Sequence, residues 1–186
     1  VHASLDVGYC FCAKIEGADG GELRISRGER ASSHYPSDPH DVLVHLDVEH
    51  RGLKLPSRLG NTQQLLMLSS QALEALTAEL DLGDFDVHPF LLINHKRRIH
   101  SRDYVFVNPL EQRPIAHATT PFEHFESTGR IFDCERWVLE SSKLEGAPDL
   151  LRPAELPYEY FVSERFVDAV ARLGLTNFDF IEVEHR

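Results

Sequence analysis

A chain of 186 residues with 42% hydrophobic and 26% charged residues carries enough apolar material for a globular core, which excludes a disordered or collagen-like sequence. Its net charge of −11 works against nucleic acid as the principal partner, because phosphate binding is cationic, and suits a basic protein partner instead. No apolar run reaches the ~18 residues of a membrane span, and three cysteines fit a reducing compartment better than a disulfide framework.

The start, VHASLDVGYCFCAKIEG, lacks the basic head and apolar core of a secretory signal, so a cytoplasmic protein is expected. Residues 1–40 read as a β-prone strand, YCFCAKI, followed by turn chemistry at GADGG and a polar connection. Cys10 and Cys12 fall on one face of that strand, as small buried hydrophobes do. In DVLVHLDVEH, Val42, Val44, Leu46 and Val48 alternate with polar residues, the pattern of a half-buried strand. Its other face carries Asp41, His45 and Asp47, whose spacing a metal could use; the solvated face of any strand looks the same.

Residues 66–93 predict a strand, a serine cap at Ser69, a short helix with Ala72, Leu73 and Leu76 on its apolar face, a tight loop and a second strand. The loop, ELDLGDFD, places Glu79, Asp81, Asp84 and Asp86 near a helix C-terminus. Negative charge is locally unfavourable there, which makes these residues candidates for partner binding. HKRRIHSR, between the strands FLLIN and YVFVN, predicts an exposed hairpin tip whose Lys96, Arg97 and Arg98 are further candidate partner contacts. From Pro121 the chain reads as antiparallel strands, FEHFES and RIFDCERWVLE, with KLEGAPDLLRPAE as a loop.

Residues 156–184 repeat the earlier unit. Ser163 is the cap; Phe166, Val167, Val170 and Leu173 form the apolar stripe; Gly174 is the left-handed stop; and Phe178, Phe180, Ile181 and Val183 read as an outgoing strand. The fold expected is α+β: a single domain, residues 1–186, with a mainly antiparallel sheet and two equivalent short helices, the strand-Ser-helix-loop-strand unit occurring twice.

Nucleophilic or phosphate chemistry has no motif here, since G-x-S-x-G, the P-loop, H-E-x-x-H and the Rossmann fingerprint are all missing. No catalytic residue, metal ligand or cofactor site is assigned, and the chain is expected not to be an enzyme.

Leu156, Pro157, Phe161, Val162, Ser163, Glu164, Arg165 and Phe166, then Gly174, Leu175, Phe178 and Phe180, resemble the C-terminal signature of a bacterial immunity-protein family. It is the eleventh of the polymorphic-toxin immunity series, formerly a domain of unknown function. The resemblance spans residues 41–186 and leaves 1–40 as a divergent N-terminal strand and loop. It implies an α+β protein that binds and neutralises a cognate toxin; from charge, composition and the missing motifs, no nucleic acid, membrane or cofactor is expected. The signature consists of caps and core residues, so it speaks for fold more than for function. The alternatives are a small metal-dependent or hydrolytic enzyme using the His/Asp-rich strand at 40–50, and a regulatory module associated with a secretion system.

Overall fold

Tyr104, Val105, Phe106 and Val107 are four consecutive buried residues, and such a run needs a strand covered on both faces. In the computed structural model, which describes residues 8–186, this run lies in β6 (Ile99–Pro109), and its two faces belong to two different cores. Residues 1–7, the first part of the segment without a secretory-signal pattern, lie outside the described residues.

Tyr104 and Phe106 point into a closed barrel with strand order β1-β2-β5-β6-β4-β3, made with β1 (Phe11–Glu16), β2 (Leu43–Leu46), β3 (Arg58–Asn61), β4 (Met67–Ser69) and β5 (Phe85–Ile93). Val44, Leu59, Met67, Phe90 and Leu92 fill the interior with them, and Cys10 and Cys12 are buried in the same cluster. Inward side chains of so few strands meet near the axis, so the interior is a packed core.

The expectation of a mainly antiparallel sheet is corrected in its topology, while the α+β class stands. Four neighbouring pairs are antiparallel, but β1 with β3 and β2 with β5 run parallel. The β1–β3 pairing closes the barrel, and because it joins distant segments no local pattern announces it.

Val105 and Val107 face outward, beneath two helices, α2 (Ser70–Thr77) and α3 (Glu164–Arg172). The repeat holds at its strand–serine–helix part. Ser69 Oγ accepts from Ala72 N at 3.2 Å, and Ser163 Oγ accepts from Phe166 N at 3.2 Å. Each cap satisfies one orphan donor of its helix, a contribution of about 1 kcal/mol. Phe166, Ala169 and Val170, spaced i, i+3, i+4, bury the inner face of α3. Gly174, at φ 64, ends it in a Schellman motif: Leu175 N donates to Val170 O at 3.0 Å and Gly174 N to Ala171 O at 3.2 Å.

The repeat fails after the helices. Phe85–Ile93 is a long barrel strand, whereas 178–183 contains no strand, and only β13 (Glu184–His185) follows it. Phe178 and Phe180 instead set their rings 6.2 Å and 6.3 Å from Phe166. Before them, Thr176 and Ser57 exchange backbone-to-hydroxyl bonds of 2.9 Å and 3.0 Å, which clasp the α3 unit to the start of β3.

Three further elements differ from expectation. GADGG runs into a six-residue helix, α1 (Gly21–Ser26), too short to show a period. Within the expected loop KLEGAPDLLRPAE lies β11 (Leu150–Pro153), buried along its whole length between β12 (Phe161–Val162) and β7 (Gln112–Arg113). FEHFES and RIFDCERWVLE yield β8 (Phe122–His124), β9 (Ile131–Cys134) and β10 (Val138–Leu139); β8 and β9 pair antiparallel, but β10 pairs parallel with β13. Among the described residues no helix is long and apolar enough to cross a membrane.

Candidate functional site

The acidic turn, singled out for its charge, has its charges largely answered from within. Arg172 donates to both Glu79 oxygens, one of the bonds at 2.9 Å, and holds that carboxyl below its usual range. Asp84 Oδ2 accepts from Arg30 Nη2 at 2.8 Å. Asp86 accepts from Ala31 N at 3.0 Å and Asn108 Nδ2 at 2.7 Å, and lies 3.3 Å from His88 Nε2. Asp81 Oδ1 takes Gly83 N at 3.0 Å, a local turn bond.

The turn is anchored by Asp149, a buried carboxylate that sequence reasoning passed over inside a supposed loop. Its Oδ2 accepts from Asp81 N at 3.0 Å and its Oδ1 from Ser163 Oγ at 2.6 Å, with Arg165 3.4 Å away. One side chain therefore ties the acidic turn to the cap of α3.

Lys96, Arg97 and Arg98 stand exposed at the β5–β6 hairpin tip, as the sequence predicts. Asn94 Oδ1 accepts from Lys96 N at 2.9 Å and Arg98 N at 3.1 Å, which shapes the turn. His95 Nε2 donates to the Asp47 carbonyl at 2.8 Å and His100 Nε2 to that of Leu53 at 3.1 Å, fastening the tip to the loop after β2.

The His/Asp-rich strand does not converge. His45 turns to Glu16 (3.1 Å), Asp47 to His50 (3.5 Å), and His40 to Asp38 (2.8 Å). Among the described residues no group of three or more His, Cys, Asp or Glu side chains is arranged to hold a metal ion. Burial pushes the Cys10 thiol up to about 11 and raises Cys12 further. Cys134 is raised as well, by burial and by the nearby Asp133 and Glu159, so each thiol is moved away from the reactive thiolate. A shallow recess beside β1 and β3 leaves essentially no room for a water-sized molecule, far short of the roughly 300 Å³ at which small-molecule sites begin.

In comparisons with known proteins, no family model and no curated protein matches this chain. Of the residues that carry the immunity-family resemblance, Leu156 and Phe166 are buried, Ser163 is a cap and Gly174 is a stop, while Glu164 and Arg165 are exposed.

A surface that sequence reasoning missed is the β8–β9 hairpin. Phe125 and Phe132, 52% and 37% exposed, set their rings 4.5 Å apart near its tip. Glu123 and Asp133 stand opposite one another in register across the two strands. The FEHFES and RIFDC runs contain these residues in plain sight, yet alternation alone cannot say that the phenylalanines stay outside.

Proposed function

We propose that this chain is a non-enzymatic binding protein of the immunity type, which neutralises a cognate basic toxin by covering part of its surface. The observation that carries this reading is where the molecule keeps its unanswered chemistry. Apolar side chains pack both the barrel interior and the helix-covered face of β6, while the exposed aromatic pair and its neighbouring carboxylates lie on the outside. A net charge of −11 speeds encounter with a positively charged partner, because opposite fields steer diffusion. The immunity-family resemblance along residues 41–186 supports the more specific part of the reading.

Co-expression tests it. This chain, produced together with a toxin encoded beside its gene, is expected to restore growth; failure to do so, with both proteins present, removes the immunity reading. Metal analysis of the purified protein tests the enzyme alternative: stoichiometric zinc would favour the His/Asp-rich strand over a binding role.

A further inference from the structure

The β8–β9 hairpin departs from the rest of the surface in two independent ways. Phe125 and Phe132 are the two exposed phenylalanines among the described residues, and their rings meet at a tilt, 4.5 Å apart, with part of each left open to solvent. Buried aromatics at the centre of an interface supply much of its binding free energy, and leaving two of them in water forgoes the gain from burying them.

The second departure is electrostatic. Glu123 faces Asp133 directly, and like charges in register across a strand pair are unfavourable. Among the described residues neither has a cation within ion-pair distance, nor do the neighbouring Glu126 and Glu135. The acidic turn differs on this point, since Glu79 and Asp84 already hold Arg172 and Arg30.

The hairpin is also held in place. Phe122 packs edge-on against Trp137 at 5.5 Å, Trp137 packs against Phe161 at 5.0 Å, and Tyr158 Oη donates to the Phe132 carbonyl. Such a platform loses little conformational entropy when a partner settles on it.

We infer that the β8–β9 hairpin is the docking surface, and that its occupant is a cationic protein segment with an apolar side chain beside its lysines or arginines. Phe125 and Phe132 take the apolar group, while Glu123 and Asp133 take the positive charge that relieves their mutual repulsion. This rests on the binding reading above, and it moves the interface from the acidic turn and the basic tip to the hairpin.

Trp137 is the chain's one tryptophan and lies against Phe122, so its fluorescence reports on the hairpin. The probe is a synthetic peptide alternating lysine and leucine, titrated into the full chain at low and high salt. Binding should perturb Trp137 and weaken as salt rises. Phe125→Ser with Phe132→Ser should weaken it at least tenfold, and Glu123→Gln with Asp133→Asn several-fold.

The carboxylate variants sit in solvent and relieve a repulsion, so an unchanged or raised melting temperature is expected for them. Glu79→Gln and Lys96→Glu should leave hairpin binding within twofold. A peptide that does not bind, or that binds the hairpin variants as tightly as the parent, overturns the inference.

The growth assay separates the two proposals. Rescue by the parent with equal rescue by the hairpin variants sinks the docking surface and keeps the immunity reading. Peptide binding at the hairpin without rescue by the parent does the reverse.

Discussion

Ser163 Oγ donates to Asp149 Oδ1 at 2.6 Å while it accepts from Phe166 N at 3.2 Å, so one hydroxyl caps α3 and grips the buried carboxylate that holds the acidic turn. A cap that also belongs to a tertiary network couples helix formation to docking. The two residues should not behave independently when altered.

Asp149→Asn keeps the shape but loses the charged acceptor, and is expected to cost about 1.5–3 kcal/mol. Ser163→Ala should cost about 1–2 kcal/mol through the cap. Urea denaturation of both single variants and the double variant checks this. The double variant should lose less than the sum, by about 0.5 kcal/mol or more, because the two residues share a bond. Strict additivity would show that the contact does not couple them.

Arg152 is fully buried in β11 and makes its hydrogen bonds without a carboxylate. It donates to the Pro109 carbonyl at 3.0 Å, to Ile25 O at 2.7 Å and Ser26 O at 3.3 Å at the end of α1, and to the Pro157 carbonyl, and its Nη2 reaches Tyr160 Oη at 2.9 Å. Arg152→Met leaves the Pro109 and Pro157 carbonyls without that donor, at about 1–3 kcal/mol each. Hydrogen exchange is expected to quicken around α1 before it does in β5 and β6. Uniform quickening would mean that Arg152 does not hold α1 specifically.

The thiols should separate by reagent. Cys134 is partly exposed, whereas Cys10 and Cys12 are 1% and 2% exposed inside the barrel cluster. A colorimetric thiol count should find one reactive cysteine in the native protein and three after guanidinium. The Cys10 thiol is raised from 9.0 to about 11 on folding, so above pH 9 the unfolded chain ionises first and stability falls. The slope from this group is about 1.4 kcal/mol per pH unit until pH 11, and Cys10→Ala should remove it.

Glu79 has the opposite sign. Arg172 lowers its carboxyl below the ordinary 4.5, so the ion pair's contribution is present above that value and is lost as the pH falls through the lowered one. The pair lies at the surface, and added salt should shrink its contribution. Arg172→Gln should return the Glu79 titration, followed by NMR, toward the ordinary value. An unmoved titration would leave the lowering without its assigned cause.

Local signals were legible and distant pairings were not. Ser69, Ser163 and Gly174 announce caps and a stop because their chemistry is set by neighbours within four residues. Val42, Val44 and Leu46 are buried as their alternation predicts, but Val48 lies beyond the end of β2 and is 76% exposed. Phe178 and Phe180 read as strand because aromatics favour strands, yet they have a better use against Phe166. Leu150 and Leu151 read as loop beside Gly146, Pro148 and Pro153, although β11 is buried on both sides by partners from other parts of the chain. Of the residues chosen for partner binding, the acidic set is mostly engaged within the fold and the basic set stands exposed. Charge counts along a chain do not reveal which acids already have an arginine.

The parallel seam between Phe11–Cys12 and Gly60–Asn61 makes β1 the stave that shuts the barrel. With β1 in place, each barrel strand has a neighbour on both sides, so main-chain groups are not offered to another molecule there. A truncation that removed residues 8–16 would leave β2 and β3 each with one bare flank beside an apolar interior. Such a species is built to self-associate, and the shortened protein should be recovered as aggregate even though the helices and the rest of the sheet keep their sequence.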